Sequence, residues 1–198
     1  MRGVVQLTIP TGPFAAYLFD CDGTIADTMP LHYRAWRSTL DPLGAEYPEA
    51  LFYEWGGTPT RKIVAQLNER NLLQMPVEET ALAKEEAFLA LLGEARPVAA
   101  VMNFARDRIR EGCGAAVVTG STRRVTERIL RAIGAADVFS VWVTSEDVAR
   151  GKPEPDGYLE AARRLGATPA QCLVFEDTRI GLAAATAAGM QSVHVPRA

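Results

Sequence analysis

A doubly wound parallel α/β sheet carrying an inserted helical lobe is the fold this sequence predicts, on three observations. Five short apolar runs, each rich in Val, Phe or Ala, occur at "AAYLFD", "GAAVVTG", "FSVWVTS", "QCLVFED" and "MQSVHVP". Helical patterns alternate with the last four, as crossover connections between parallel strands require. The segment from Pro30 to about Ala95 has helical spacing and no convincing strand, so it reads as a small bundle inserted directly after the first strand.

In chain order, the first apolar run passes straight into "DCDGTIADT", Asp20 to Thr28. The insert holds three helical patterns: Leu31 through Ala35 and Leu40 to Gly44, then Thr60 to Asn71 with Ile63, Val64 and Leu67 on one side, then Val77 to Leu92. After the second strand, Val125, Ile129, Leu130 and Ile133 follow helical spacing, and Gly134 supplies the stop. A further helix is expected from Asp156, acting as its cap, to just before Gly166, and another from Thr178 to Ala188, stopped by Gly189. The resulting division is 1–28 core, 29–96 helical lobe and 97–198 core.

Composition narrows the function. The chain has 198 residues, 48% hydrophobic and 23% charged, which is enough to bury a core and far from the signature of disorder. A net charge of −3 with no basic block argues against nucleic acid as a partner. Three irregularly spaced cysteines, Cys21, Cys113 and Cys172, suggest neither a disulfide framework nor a zinc site, and a reducing cytoplasm suits them. "MRGVVQLTIPTGP" lacks the apolar core of a secretory signal, and no run approaches the roughly 18 residues of a membrane span. A cytoplasmic protein, acting as a monomer away from membranes, is expected.

Ligand sites of parallel α/β sheets lie at the carboxyl ends of the strands, so residues just after each strand should converge. The first strand delivers Asp20 and Asp22, the second Thr119 with Gly120 and Ser121, and the fourth Glu176 and Asp177, while Lys152 lies in "GKPEPDGY" after the third. Paired carboxylates at a buried strand end are costly without a cation or a reaction that uses them. Several carboxylates with one lysine and one hydroxyl make a place for a hard cation beside an anion: Mg²⁺ on the oxygens, phosphate on the lysine, hydroxyl and loop amides. A cysteine-phosphatase reading of Cys21 fails, because the arginine that should close its phosphate loop is replaced by Asp27.

"FDCDGT", "VVTGS", "GKPEPD" and "FEDT" resemble, in order, the four motifs of the haloacid dehalogenase superfamily of phosphohydrolases. "DTMPLHYRAW" and "GGTPTRKI" further resemble its β-phosphoglucomutase-like branch, especially the fructose-1-phosphate and 6-phosphogluconate phosphatases. The resemblance implies a Rossmann-like core, a small α-helical cap, Mg²⁺ and an aspartyl-phosphate intermediate. It gives Asp20 the nucleophile's role and Asp22 that of acid and base, with phosphoryl oxygens on Thr119, Gly120, Ser121 and Lys152. Mg²⁺ would sit on Asp20, Asp22, Glu176 and Asp177, and His32 and Arg61 would meet the substrate, a small phosphorylated metabolite, most simply a sugar phosphate.

Two other readings compete. A β-phosphoglucomutase-like mutase would carry a cap lysine where Gly56 stands and a lysine where Thr122 stands, and neither is present. A phospho-acceptor signalling domain would lack both Asp22 and the helical insert. Both departures favour hydrolysis.

Overall fold

The computed structural model describes residues 6–197, so residues 1–5 and 198 of the expected core segments lie outside the described residues. The chain forms two compact units, one built from the segment up to Asp27 and again from Arg96 onward, the other from Thr28–Ala95. The strands are β1 (Ala16–Phe19), β2 (Gly114–Val118), β3 (Val141–Val143), β4 (Cys172–Glu176) and β5 (Gln191–His194). The helical unit contains α1 (Met29–Leu40), α2 (Glu49–Glu54), α3 (Thr60–Asn71) and α4 (Val77–Leu91), and the sheet unit contains α5 (Ala99–Arg110), α6 (Arg123–Ala132), α7 (Asp156–Leu165) and α8 (Arg179–Ala187).

All five expected apolar runs form strands, in the order β3-β2-β1-β4-β5. Every neighbouring pair is parallel. β1 lies in the middle, with Ala16 opposite both Gly114 and Cys172, and Phe19 opposite both Val117 and Phe175. Burial on both faces explains why β1 and β4 read as unbroken apolar runs. The strand period of two divides them: Leu18, Ala116, Val118 and Val174 pack with Tyr158, Ala161 and Ala162 of α7 and Ala184 and Ala185 of α8. The alternate residues Phe19 and Phe175 stack at 4.8 Å, and Phe104 of α5 lies 5.0 Å from Phe175.

The helical unit has its own core of Trp36, Leu40, Tyr47, Phe52, Ile63, Val64 and Leu67. Trp36 meets Tyr47 edge-on at 5.5 Å. Asn68 closes the turn between α3 and α4, donating to the Met75 carbonyl at 2.9 Å and accepting from the Met75 amide at 2.8 Å.

One local expectation needs correction, and two helices stand where none was expected. Asp156 does not cap α7: it occupies the first helical position, and its carboxylate is taken by Arg150 at 2.7 and 3.0 Å. Helix α5 starts at Ala99, after Val98, without a side-chain cap, and the chain there looks like a connection. Helix α2 follows Pro48 and has 6 residues, too few to establish a period.

Candidate active site

The backbone brings the acidic residues to one edge of the sheet. The β1 ladder continues one residue past the strand, with the Asp20 amide donating to the Phe175 carbonyl at 3.0 Å. The chain then turns tightly: the Ile25 and Ala26 amides both donate to the Cys21 carbonyl, at 3.1 and 3.0 Å. Gly23 makes the turn with φ of 84°, a left-handed conformation strained for a residue with a Cβ. Asp22 rides on this turn. Thr119 follows β2, its amide held by the Val143 carbonyl at 2.9 Å, while Glu176 ends β4 and Asp177 follows it. Because the strands are parallel, these positions share the carboxyl-terminal edge.

Lys152 joins them. Its Nζ donates to Asp20 Oδ1 at 2.5 Å, to Glu176 Oε1 at 2.5 Å and to the Val118 carbonyl at 3.2 Å. An ammonium has three protons, and these acceptors take all of them. Glu176 Oε1 also accepts from the Tyr158 hydroxyl at 3.0 Å, and Oε2 accepts from the amide and hydroxyl of Thr178, each at 2.9 Å. Thr178 also caps α8 by accepting from the Gly181 amide at 3.1 Å, as expected of it. Asp177 Oδ1 accepts from the Thr24 hydroxyl at 3.3 Å. The Ser121 hydroxyl donates to Asp22 Oδ2 at 3.2 Å, and its amide donates to Thr119 Oγ1 at 3.1 Å. Gly120, between them, is exposed.

Electrostatics follow from this crowding. Asp20, Glu176 and Asp177 each present a carboxylate oxygen, all within 4.8 Å of one another. Burial raises the Asp20 pKa well above its ordinary value, with Lys152 opposing and Glu176 and Asp177 adding to the rise. Burial, then the neighbouring Glu176, push Asp177 up to about 7. Burial acts the same way on Glu176, but Lys152 outweighs it and holds that carboxyl below its usual range. Burial opposes the Lys152 charge, and Asp20 and Glu176 overcome it. Two buried carboxyl groups and the half-buried Asp177 gather their oxygens around one ammonium, and the mutual repulsion that raises Asp20 and Asp177 is what a hard divalent cation would relieve.

The two expected substrate residues of the helical unit have different surroundings there. Arg61 is exposed and paired with Glu78 at 2.6 Å. His32 stacks on Phe88 with ring centroids 3.7 Å apart, and its Nδ1 lies 2.7 Å from Lys84 Nζ. Lys84, which sequence reasoning passed over, is buried, 6% exposed, with its ammonium 5.5 Å from the Trp36 ring and 5.3 Å from the Phe88 ring. The available signal was positional: Lys84 falls on the same stripe of α4 as Thr80, Ala81 and Phe88. Trp36 is in the core of the helical unit and Trp55 packs against it.

Known proteins resemble the chain along nearly its whole length. The family model "Hydrolase: haloacid dehalogenase-like hydrolase" matches residues 14–189. The fructose-1-phosphate phosphatase YqaB of Escherichia coli (strain K12) is 37% identical over 186 residues, covering 92% of this chain and 96% of that one. The phosphorylated carbohydrates phosphatase of Thermotoga maritima is 30% identical, covering 90% of this chain and 83% of the relative. Among solved structures, CbbY from Rhodobacter sphaeroides in complex with phosphate superposes with a TM-score of 0.78 at 30% identity, covering 90% of this chain and 84% of that chain. A sheet edge carrying three carboxylates and a lysine, in a chain matched over about nine-tenths of its length by phosphatases, leads to one assignment: the protein belongs to the haloacid dehalogenase-like hydrolases and is a phosphatase.

Proposed function

We propose that this phosphatase hydrolyses the monoester of a small phosphorylated carbohydrate in two steps, through an aspartyl-phosphate on Asp20, with Mg²⁺ as its metal. The observation that carries the reading is Lys152 bridging Asp20 and Glu176 while Asp177 stands within the same oxygen cluster. Free thiols at all three cysteines agree with a reducing cytoplasm.

In the first step an Asp20 oxygen forms a bond to phosphorus as the ester P–O bond breaks, and Asp22 gives its proton to the departing sugar oxygen. In the second, water attacks the same phosphorus while Asp22 takes its proton, which frees phosphate and restores Asp20. Ser121 holds the Asp22 carboxyl through its hydroxyl. Thr119 accepts from the Ser121 amide, so its own hydroxyl proton can go to a phosphoryl oxygen, beside Lys152 and the Gly120 amide. The carboxylates of Asp20 and Asp177 and the Asp22 carbonyl would hold Mg²⁺, with Glu176 beside them, and the ion's charge offsets the negative charge of carboxylates and phosphate. Glu176 stands back because both of its oxygens already accept from protein donors.

Substrate choice belongs to the helical unit in this reading, with His32 and Arg61 as its contacts and Lys84 supporting His32. Hydrolysis is favoured over a mutase because Gly56 and Thr122 stand where a mutase would carry lysines, and Thr122 instead caps α6, its side chain accepting from the Val125 amide at 3.4 Å. The test is a panel of fructose 1-phosphate, 6-phosphogluconate, β-glucose 1-phosphate and an aryl phosphate, followed by released phosphate and by glucose 6-phosphate. Phosphate release from a sugar or sugar-acid ester is expected. Formation of glucose 6-phosphate without phosphate release would overturn hydrolysis in favour of the mutase. In Arg61→Ala, KM should rise for the sugar esters and stay near wild type for the aryl ester; an equal loss on all four would make Arg61 structural.

A further inference from the structure

Glu176 is wholly buried, and every one of its hydrogen bonds comes from the protein: Lys152 and Tyr158 on Oε1, Thr178 twice on Oε2. Two of its neighbours have no part in the chemistry described so far. Tyr158, on α7, is 1% exposed, donates to Glu176 at 3.0 Å and lies with its ring centroid 5.2 Å from Lys152 Nζ. A phenol is protonated near neutral pH, so Tyr158 is the donor in this bond. Gly181, in the first turn of α8, faces the same carboxylate from the other side. A methyl group placed there would overlap the Glu176 carboxylate itself, which has no room to withdraw without releasing Lys152, Tyr158 or Thr178.

We propose that Tyr158 and Gly181 are positioning residues for catalysis: they fix the Glu176 carboxylate, and through it the Lys152 ammonium, at the distance from Asp20 that phosphoryl transfer needs. Of the two carboxylates on Lys152, Glu176 is the one that does not change during the reaction, whereas Asp20 acquires and loses a phosphoryl group. An ammonium anchored on a fixed carboxylate keeps its place when the Asp20 oxygen alters its charge. A shift of Glu176 would move it. Misalignment of this kind acts on the transition state more than on substrate binding, so kcat should fall with little change in KM. The inference rests on the assignment of Lys152 to the phosphoryl group.

The experiment measures kcat and KM on an aryl phosphate with the full-length protein, with folding checked by circular dichroism. In Tyr158→Phe, kcat should fall by about tenfold to a hundredfold, the scale of one hydrogen bond to a charged group, with KM within about twofold. The same substitution in a Glu176→Gln background should add nothing, because Tyr158 acts through that carboxylate. Gly181→Ala should lose more than Tyr158→Phe, and combining it with Glu176→Asp, whose shorter side chain withdraws from the new methyl group, should cost less than the two losses multiplied. If Gly181→Ala does not fold, the Tyr158 cycle decides alone. A loss in Tyr158→Phe smaller than about tenfold, or an equal loss in both backgrounds, overturns the proposal. Lys152→Met separates this from the reading beneath it: an active Lys152→Met removes the phosphoryl assignment, whereas an inactive one with an unaffected Tyr158→Phe removes only the positioning role.

Discussion

Asp20 and Asp22 stand two positions apart and meet different partners, Lys152 on the first and the Ser121 hydroxyl on the second. In the proposed mechanism the two carboxyl groups have different tasks: Asp20 attacks as the carboxylate, a form Lys152 favours against burial, and Asp22 passes the proton. Asp20→Asn should abolish turnover with the fold intact, since an amide is a poor nucleophile and a weaker metal ligand. Asp22→Asn should lose more than the ~100-fold attributable to proton transfer alone. Phosphate release and circular dichroism on both variants check this, and wild-type turnover by Asp20→Asn would end the covalent mechanism.

At the scale of the element, two positions carry predictions about stability. Helix α3 ends at Leu72, whose φ is 54° and whose side chain is 92% exposed. A leucine gains no packing there and bears the left-handed penalty, so Leu72→Gly should stabilise the protein by about 0.5–1 kcal/mol, read as a higher urea midpoint. Asp147 ties the segment after β3 to α7: it accepts from the Thr144 amide and hydroxyl at 2.8 and 2.7 Å and from Arg164 at 2.7 Å. Burial opposes its charge, but the Thr144 and Arg164 hydrogen bonds outweigh burial and hold its pKa well below the usual carboxylate range. A carboxyl depressed in the folded state contributes stability above its unfolded pKa of about 3.9 and loses it as pH falls toward the folded value. Asp147→Asn should therefore cost about 1–2 kcal/mol at pH 7 and progressively less below about pH 4. Urea melts of both proteins at pH 7 and pH 3 read the difference, and a gap that does not narrow in acid would contradict the assignment.

For the molecule as a whole, the governing quantity is the charge at the sheet edge, where Asp20, Glu176 and Asp177 share one lysine. A divalent ion relieves their repulsion and stabilises the fold it binds. Chelation should stop turnover, Mg²⁺ should restore it, and Ca²⁺ should do so poorly because its larger, more flexible shell misplaces the attacking oxygen. At a hundredfold excess over Kd, Mg²⁺ should also add about 2.7 kcal/mol to stability, seen as a rise in Tm. Full activity in excess chelator would remove the metal from the mechanism.

Much of the architecture was legible in residue order because it rests on local rules. Val-, Phe- and Ala-rich runs became β1 to β5, and helical spacing with stops at Gly134, Gly166 and Gly189 bounded α6, α7 and α8. The carboxyl-terminal rule for parallel sheets then brought Asp20, Thr119 and Glu176 to one edge. Where local signals were weak or ambiguous, sequence reasoning failed: α5 has no cap, α2 is too short, and Asp156 could be a cap or an ion-pair partner with equal ease. The pairing of distant side chains was out of reach altogether. That Lys152 spans Asp20 and Glu176, that Tyr158 completes Glu176, and that Lys84 lies against His32 depend on the packing of elements far apart in the chain. The sequence by itself determined which elements form and which strand ends carry acids. Only the tertiary structure decided which donors meet each carboxylate, because hydrophobic periodicity specifies the face a residue turns to the core and says nothing of the polar atom waiting there.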